Sequence, residues 1–171
     1  QQNFSTLAQG QLVVTASAID FYGNTLSATD NSIIDTLASI NDDIVFNSGT
    51  VINAAEESSV DISGSTSEID AGQQVQLVYR DQNSAEIELF TNIIDASGNY
   101  STENVDLSSL AEGPINVTLN SVDVAGNNGS RTTVITKDTI ATINVAFDGN
   151  LPYSADEAEA VTLSGTTDGV G

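Results

Sequence analysis

The sequence predicts an all-β chain of tandem immunoglobulin-like antiparallel β-sandwich repeats, each of about 100 residues. Apolar and polar residues alternate in short segments, which is the pattern of half-buried strands. Turn-forming residues recur roughly every 8 to 12 positions, as they do between the strands of a sandwich. Two distant parts of the chain also match each other, which indicates repeated domains.

The repeat is visible when the segment from Leu7 is aligned with the segment from Leu110. At this offset of 103 residues, 15 of 35 positions are identical, and a two-residue deletion then aligns Ile52 with Tyr153. We therefore predict three units: residues 1–35 as the C-terminal part of one repeat, 36–138 as a complete repeat, and 139–171 as the N-terminal part of the next. The partial repeats are either an excerpt from a longer array or halves that pair by strand exchange between molecules.

Seven strands are predicted within the complete repeat. The first begins with "ASIN" at Ala38, a weaker one covers residues 100–105, and the last covers residues 131–136. The other four are marked by alternating inward-facing residues, namely Val60, Ile62, Val75, Leu77, Tyr79, Ile87, Leu89, Ile115, Val117 and Leu119, with Val122 as a further candidate. The only helix-like patch, "NAAEESS", is short enough to be a loop or a single turn.

The charge balance restricts the partners of the chain. It has 24 acidic and 3 basic residues, for a net charge of -21. Nucleic acids and anionic membranes are therefore not expected as partners, because both require basic residues to neutralise phosphate. The acidity favours cations, although solubility alone would also account for it.

The missing residue types argue against catalysis. The chain has no cysteine and no histidine, which excludes thiolate nucleophiles, Ser-His-Asp triads and the common zinc sites. Carboxylates alone could act as in glycosidases, but an aromatic content of 5% provides few rings for a sugar site. We therefore expect no enzyme, and the absence of an apolar run of membrane length predicts no membrane insertion.

The motif D-x-x-G-N occurs three times, with Asp20, Asp95 and Asp123 as its acids. The simplest interpretation is a turn, in which Asp binds its own backbone and Gly supplies a positive φ. The motif is not an EF-hand loop, because Ala125 and Val134 occupy the third and twelfth positions from Asp123. The topology of a sandwich favours an additional role for the aspartates.

Alternate loops of a seven-strand sandwich collect at the same end, so oxygen-bearing side chains are predicted at both joints. With Asp95 in the D–E loop and Asp123 in the F–G loop, the end facing the preceding repeat would hold Asp35, Glu68, Asp70, Asp95 and Asp123. The end facing the next repeat would hold Asn53, Glu56, Glu57, Glu112 and Asp138. Close carboxylates repel, and Ca²⁺ relieves this because it accepts about six to eight oxygen ligands with flexible geometry. We therefore expect Ca²⁺ at the inter-domain joints.

The sequence resembles the bacterial Ig-like extender repeats of giant RTX adhesins that type I systems secrete. The resemblance covers essentially the whole chain and rests on "DT-A-I" at the joints, "INAAE" followed by "VDISGST", and "L-EG---VTL-SVDVAGN". It implies a calcium-stiffened extender on a Gram-negative cell surface, with neighbouring repeats as partners and the adhesive ligand bound by other domains. By this resemblance the metal ligands are the linker acids Asp35 and Asp138, the "INAAE" oxygens of Asn53 and Glu56, their counterparts Asp156 and Glu157, and the turn acids Asp20, Asp95 and Asp123.

Two other functions are compatible with the same scaffold. One is a glycan- or protein-binding Ig-like module, which the low aromatic content argues against. The other is an accessory domain of a secreted carbohydrate-active enzyme, whose catalytic part would lie outside this chain. Further tandem copies in the flanking sequence would favour the adhesin over the accessory domain.

Overall fold

A computed structural model of the chain describes residues 3–147, 154 and 161–167. Its strands are β1 (Gly10–Ile19), β2 (Thr25–Ile34), β3 (Ser39–Ile40), β4 (Val45–Phe46), β5 (Val51–Ile52), β6 (Val60–Ser67), β7 (Gln74–Arg80), β8 (Glu86–Asn92), β9 (Asn99–Val105), β10 (Gly113–Val122), β11 (Asn128–Lys137), β12 (Ile143–Phe147) and β13 (Leu163–Thr167). Within residues 3–147, 154 and 161–167, no helix has the length and apolarity that crossing a bilayer requires.

Strands β3 to β11 form two sheets that enclose one core. One sheet has the order β5-β11-β10-β7-β8, and the other has the order β3-β6-β4 with β9 also paired to β6. Strand β5 joins the first sheet parallel to β11, whereas the other pairs are antiparallel. The predicted all-β, immunoglobulin-like architecture is confirmed.

The core contains most of the residues that alternation marked as inward-facing. Those on the central strands are fully buried, namely Val60, Ile62, Val75, Leu77, Tyr79, Ile115, Val117 and Leu119. Ile87 and Leu89 are only partly buried, because β8 is an edge strand. Val122 points outward and is 46% exposed at the last position of β10.

In the part of the chain that the structure describes, four buried apolar side chains of the core lie outside the strands, where alternation gives no signal. Ile69, Ile93, Leu107 and Leu110 are each at most 6% exposed and close the two ends of the sandwich. Each is a single apolar residue within a turn or loop, so the sequence alone did not mark it. Burial of these loop residues fixes the loops that carry the acidic side chains.

Strand β8 lies in the other sheet from the one predicted for it. Placing Asp95 in the D–E loop made β8 the fourth strand, D, of an immunoglobulin sandwich. A D strand would extend the β6–β9 sheet, but β8 pairs with β7 over seven residues, from Gln74↔Asn92 to Arg80↔Glu86. The tight turn between β7 and β8 keeps the two strands together. The link from β8 to β9 then crosses between the sheets, with one bridge between Ile93 and Tyr100.

The partial repeats preserve the strand register of the complete one. The β1–β2 hairpin pairs Gly10 with Ile34, and β10–β11 pairs Gly113 with Lys137, which are the same positions at the offset of 103. Likewise, Ile143 pairs with Thr167 as Ile40 pairs with Thr66.

Candidate functional site

The three D-x-x-G-N motifs adopt the same turn. In each, the aspartate accepts hydrogen bonds from the backbone N–H and the side-chain amide of the asparagine four residues later. The amide nitrogen lies 2.8 Å from Asp20, 2.8 Å from Asp95 and 2.7 Å from Asp123. The glycine of the turn has φ of 88°, 78° and 94°, respectively, a conformation that other residues rarely adopt. The motif is therefore a turn, as the simplest interpretation predicts.

These hydrogen bonds keep the aspartates ionised. The side-chain amide of the asparagine is the largest cause that lowers the pKa of Asp20 and of Asp95. Burial acts to raise the pKa of Asp123, but hydrogen bonds from Asn127 and from the turn backbone outweigh it, so this pKa is also lowered. Each carboxylate oxygen has more than one acceptor site, so an aspartate that binds its own turn can still accept a cation.

At the end facing the preceding repeat, the Asp123 turn contacts the linker. Asp123 is 5% exposed, and the amide of Asn127 that it accepts also donates to the backbone oxygen of Asp35 at 3.2 Å. The same amide lies 3.5 Å from the carboxylate of Asp35. Asn127 therefore bridges a loop acid and a linker acid across the joint. The sequence motif predicts only a turn role for this asparagine.

The other acids at this end remain dispersed. Asp95, Glu68 and Asp70 are exposed on the two neighbouring loops. A hydrogen bond of 2.9 Å from the N–H of Gly72 to the carbonyl of Ile93 joins these loops. Among residues 3–147, 154 and 161–167, no three acidic side chains lie close enough together to hold a metal ion.

At the opposite end, the "INAAE" turn lies beside the outgoing linker. The Asn53 side chain accepts the N–H of Ala55 at 2.8 Å, and Glu56 accepts the N–H of Asn53 at 3.2 Å. Asn53 and Asp138 line one shallow depression, and the N–H of Asp138 donates to the carbonyl of Ile52 at 2.9 Å. The structure thus places two of the predicted ligands next to each other.

Glu112 fixes the outgoing linker from the other side. Its carboxylate accepts the N–H of Thr139 at 2.8 Å and also the hydroxyl of Thr139. The Thr139 hydroxyl is the largest cause that lowers the pKa of Glu112. Glu57 has a different partner, because its carboxylate lies 2.7 Å from the ammonium of Lys137.

The remaining predicted ligands lie in the partial repeats. Asp20 is exposed at the β1–β2 turn, the position that corresponds to Asp123 one repeat earlier. Asp156 and Glu157 lie outside the described residues. All the candidate ligands are oxygen donors, which is the ligand set of Ca²⁺ rather than of zinc.

Asp81 is a structural aspartate that the sequence analysis missed. It is 4% exposed, and one carboxylate oxygen accepts the N–H groups of Asn83 and Ala85 at 2.8 and 2.9 Å. The other oxygen accepts the N–H of Ala111 at 2.8 Å, so Asp81 ties the β7–β8 turn to the loop before β10. The Ala111 hydrogen bond is the largest cause that lowers its pKa. The signal was an aspartate at the head of a short polar hairpin loop, "DQNSA".

We expect Asp81→Asn to destabilise the protein at neutral pH. In acid, the difference in stability between the wild type and the variant should disappear. Asp81 has its pKa lowered from 3.8, so its contribution is present above that value and disappears as the pH falls through the lower folded pKa. The measurement is the difference in urea midpoint between the wild type and D81N from pH 7 to pH 2. A difference that stays constant over this range would contradict the assignment.

The two-sheet architecture and the acidic loops are those of tandem Ig-like β-sandwich repeats. Comparison with solved structures identifies a similar protein. The crystal structure of a tetra-tandem repeat in the extending region of a large adhesion protein matches with a TM-score of 0.56 and 28% identity, covering 95% of this chain and 40% of that one. The chain therefore spans about two fifths of that structure. The predicted resemblance to bacterial Ig-like extender repeats of large adhesins is confirmed.

Two further structures have lower TM-scores. A Ca²⁺-stabilised adhesin with which an Antarctic bacterium binds ice has a TM-score of 0.40 and 28% identity, over 94% of this chain and 40% of that one. A bacterial immunoglobulin-like domain from the M. primoryensis ice-binding adhesin has a TM-score of 0.39 and 28% identity, over 60% of this chain and 97% of that one. No protein-family profile and no curated protein sequence matches the chain.

Proposed function

We propose that this chain is a structural extender segment of a bacterial cell-surface adhesin. In this role it catalyses no reaction, and its length holds an adhesive module, carried by other domains, away from the cell. The observation that carries the proposal is that parts of three repeats share one strand register and follow each other with short joints. Only residues 35–38 and 138–142 separate the strands of successive repeats.

Hydrogen bonds from the complete repeat to each linker support a joint with limited freedom. Asn127 donates to Asp35 at the first joint, and Glu112 accepts from Thr139 at the second. Linkers of four or five residues that are also held by such bonds differ from flexible Gly/Ser-rich spacers, which behave as random coils. Successive repeats would therefore keep a restricted range of orientations.

Calcium at the joints is the second part of the proposal. Oxygen donors lie near each linker: Asp35 and Asp123 share the amide of Asn127 at the first joint, and Asn53 and Asp138 line one depression at the second. The Glu56 carboxylate accepts the N–H of Asn53. The chain has three basic residues, and Arg80, Arg131 and Lys137 each already have an acidic partner. A divalent cation at each joint would reduce the repulsion between the carboxylates there and order the linker, which supports Ca²⁺ as the stiffening ion.

The test compares the chain in calcium and in EGTA. We expect a longer, narrower particle by small-angle X-ray scattering in calcium, together with a higher melting temperature. Calcium at about 100 times its Kd would stabilise by about 2.7 kcal/mol. Asp35→Asn with Asp138→Asn should reduce both effects, whereas Asp30→Asn, in the middle of β2, should leave them unchanged.

Three outcomes would separate the parts of this proposal. Calcium binding by calorimetry without any change in scattering would refute stiffening but not binding. Identical scattering and melting in calcium and EGTA would refute the calcium mechanism. The extender role itself would fail if the particle were compact and bent under both conditions.

A further inference from the structure

The side chain of Lys137 ends in an enclosed group of oxygen atoms at the C-terminal end of the sandwich. Lys137 is the last residue of β11 and is 3% exposed. Its ammonium donates to the backbone oxygens of Leu107, Ser108 and Leu110 at 3.2, 3.0 and 2.8 Å. The Glu57 carboxylate is the fourth partner at 2.7 Å. We call these four oxygens the lysine cage.

The composition of the lysine cage is that of a site for a hard cation. Backbone carbonyls and a carboxylate are the ligands that calcium takes from proteins, and here an ammonium stands among them. Burial of a charged amine is unfavourable unless its partners surround it, and the lysine cage meets that condition. Asp106 and Glu112 add negative charge nearby. The largest causes that lower their pKa values are hydrogen bonds from Ser108 and Thr139, respectively, and the charge of Lys137 also lowers both.

We propose that the lysine cage is a cation site whose cation is the Lys137 ammonium itself. The ammonium adds a charged link between the turn at residues 53–59 and the loop at residues 106–112. The N–H of Leu107 also joins these segments by donating to the carbonyl of Glu57 at 2.7 Å. These segments flank the outgoing linker, since Asn53 and Asp138 line one depression and Glu112 binds Thr139. Lys137 therefore orders the linker-facing end of this repeat without a metal ion.

The aligned position in the preceding repeat holds a different residue. Ile34 pairs with Gly10 as Lys137 pairs with Gly113, so the two residues are equivalent in the hairpin. An isoleucine cannot supply a positive charge. The internal cation is thus a property of this repeat rather than of every repeat in the chain. The role of the Lys137 ammonium is distinct from that of calcium at the joints, because it keeps this end of the sandwich ordered when calcium is absent.

The test removes the ammonium from the full chain. Lys137→Ala should lower the melting temperature in EGTA by on the order of 10 °C, because Glu57 and the three carbonyls lose their partner. Calcium should raise the melting temperature of K137A by more than it raises that of the wild type, because the lysine cage without its ammonium can accept the ion. The matched control is Arg131→Ala, which removes the same charge from an exposed ion pair with Asp42. Adding Glu57→Gln to K137A should abolish the extra calcium response.

Several results would overturn the proposal. One is a K137A variant as stable as R131A, and another is a calcium response in K137A no larger than that of the wild type. Failure of K137A to fold even in calcium would also count against it. Hydrogen exchange of the wild type provides a test that does not depend on folding defects of a variant. The N–H of Leu107 donates to the carbonyl of Glu57, and the N–H of Leu110 donates to the carbonyl of Leu107. Both amides should resist exchange equally in EGTA and in calcium. Loss of that protection in EGTA would show that the metal, not the lysine, orders this end.

Discussion

Replacing Gly98 by alanine is expected to reduce the free energy of unfolding by about 3–4 kcal/mol. Gly98 has φ of 78°, which strains any residue with a side chain. A Cβ atom at this position would also lie 2.4 Å from the backbone oxygen of Thr66. That oxygen belongs to β6, the strand that pairs with β3, β4 and β9, so it cannot easily move. The turn at Asp95 therefore needs glycine for two separate reasons.

The chain supplies a matched control for this prediction. Gly126 occupies the same position in the Asp123 turn, with φ of 94°, and a Cβ there would meet no atom within 4 Å. Gly126→Ala should therefore add only the backbone strain, about 1 kcal/mol. Urea unfolding of the two variants at one calcium concentration measures the difference. Equal destabilisation would show that the close contact with Thr66 yields at little cost.

Replacing Leu107 by alanine should destabilise the protein by about 3 kcal/mol, within the usual range for a buried leucine. Leu107 is 0% exposed although it lies in the loop between β9 and β10. Its N–H donates to the carbonyl of Glu57 at 2.7 Å, and its carbonyl accepts the Lys137 ammonium. The backbone around it is fixed, so the loop cannot readily collapse into the cavity that alanine would leave.

The comparison for L107A is a loop residue that packs against little. Val124, in the Asp123 turn, is 72% exposed, and Val124→Ala should change stability by less than about 0.5 kcal/mol. Thermal and urea unfolding of both variants measure the contrast. If L107A were as mild as V124A, the loop would not be part of the core, and the ordered end that contains the lysine cage would lose its main apolar support.

Strand positions were predictable because alternation is a local property. A segment such as β7 shows its buried face in its own sequence, and Val75, Leu77 and Tyr79 are all 0% exposed. The sheet to which a strand belongs is not local. The position of β8 beside β7 depends on the turn between them and on its contacts with β9, so lettering the strands in sequence order placed it wrongly.

The residues of the candidate site likewise fall into those that local sequence predicts and those that depend on distant contacts. The aspartates of the repeated motif were found because recurrence and turn chemistry are visible in the sequence. Asn127 and Lys137 were not recognised, because each acts on a group far along the chain. Asn127 reaches Asp35 across 92 positions, and Lys137 reaches Leu107 across 30. Whether the predicted calcium ligands bind the ion remains a prediction.

The all-β class, the repeat length, the acidic character and the D-x-x-G-N turns follow from the amino-acid sequence, since each depends on composition or on neighbouring residues. The oxygens that face each linker, and the partners they already have, become known once the chain is folded. Glu57 illustrates the difference. Its neighbours in the sequence give no sign of a partner for its carboxylate, whereas in the folded chain the carboxylate lies 2.7 Å from the buried ammonium of Lys137. Charge neutralisation depends on distances between remote segments, and those distances are fixed only when the two sheets close on their core.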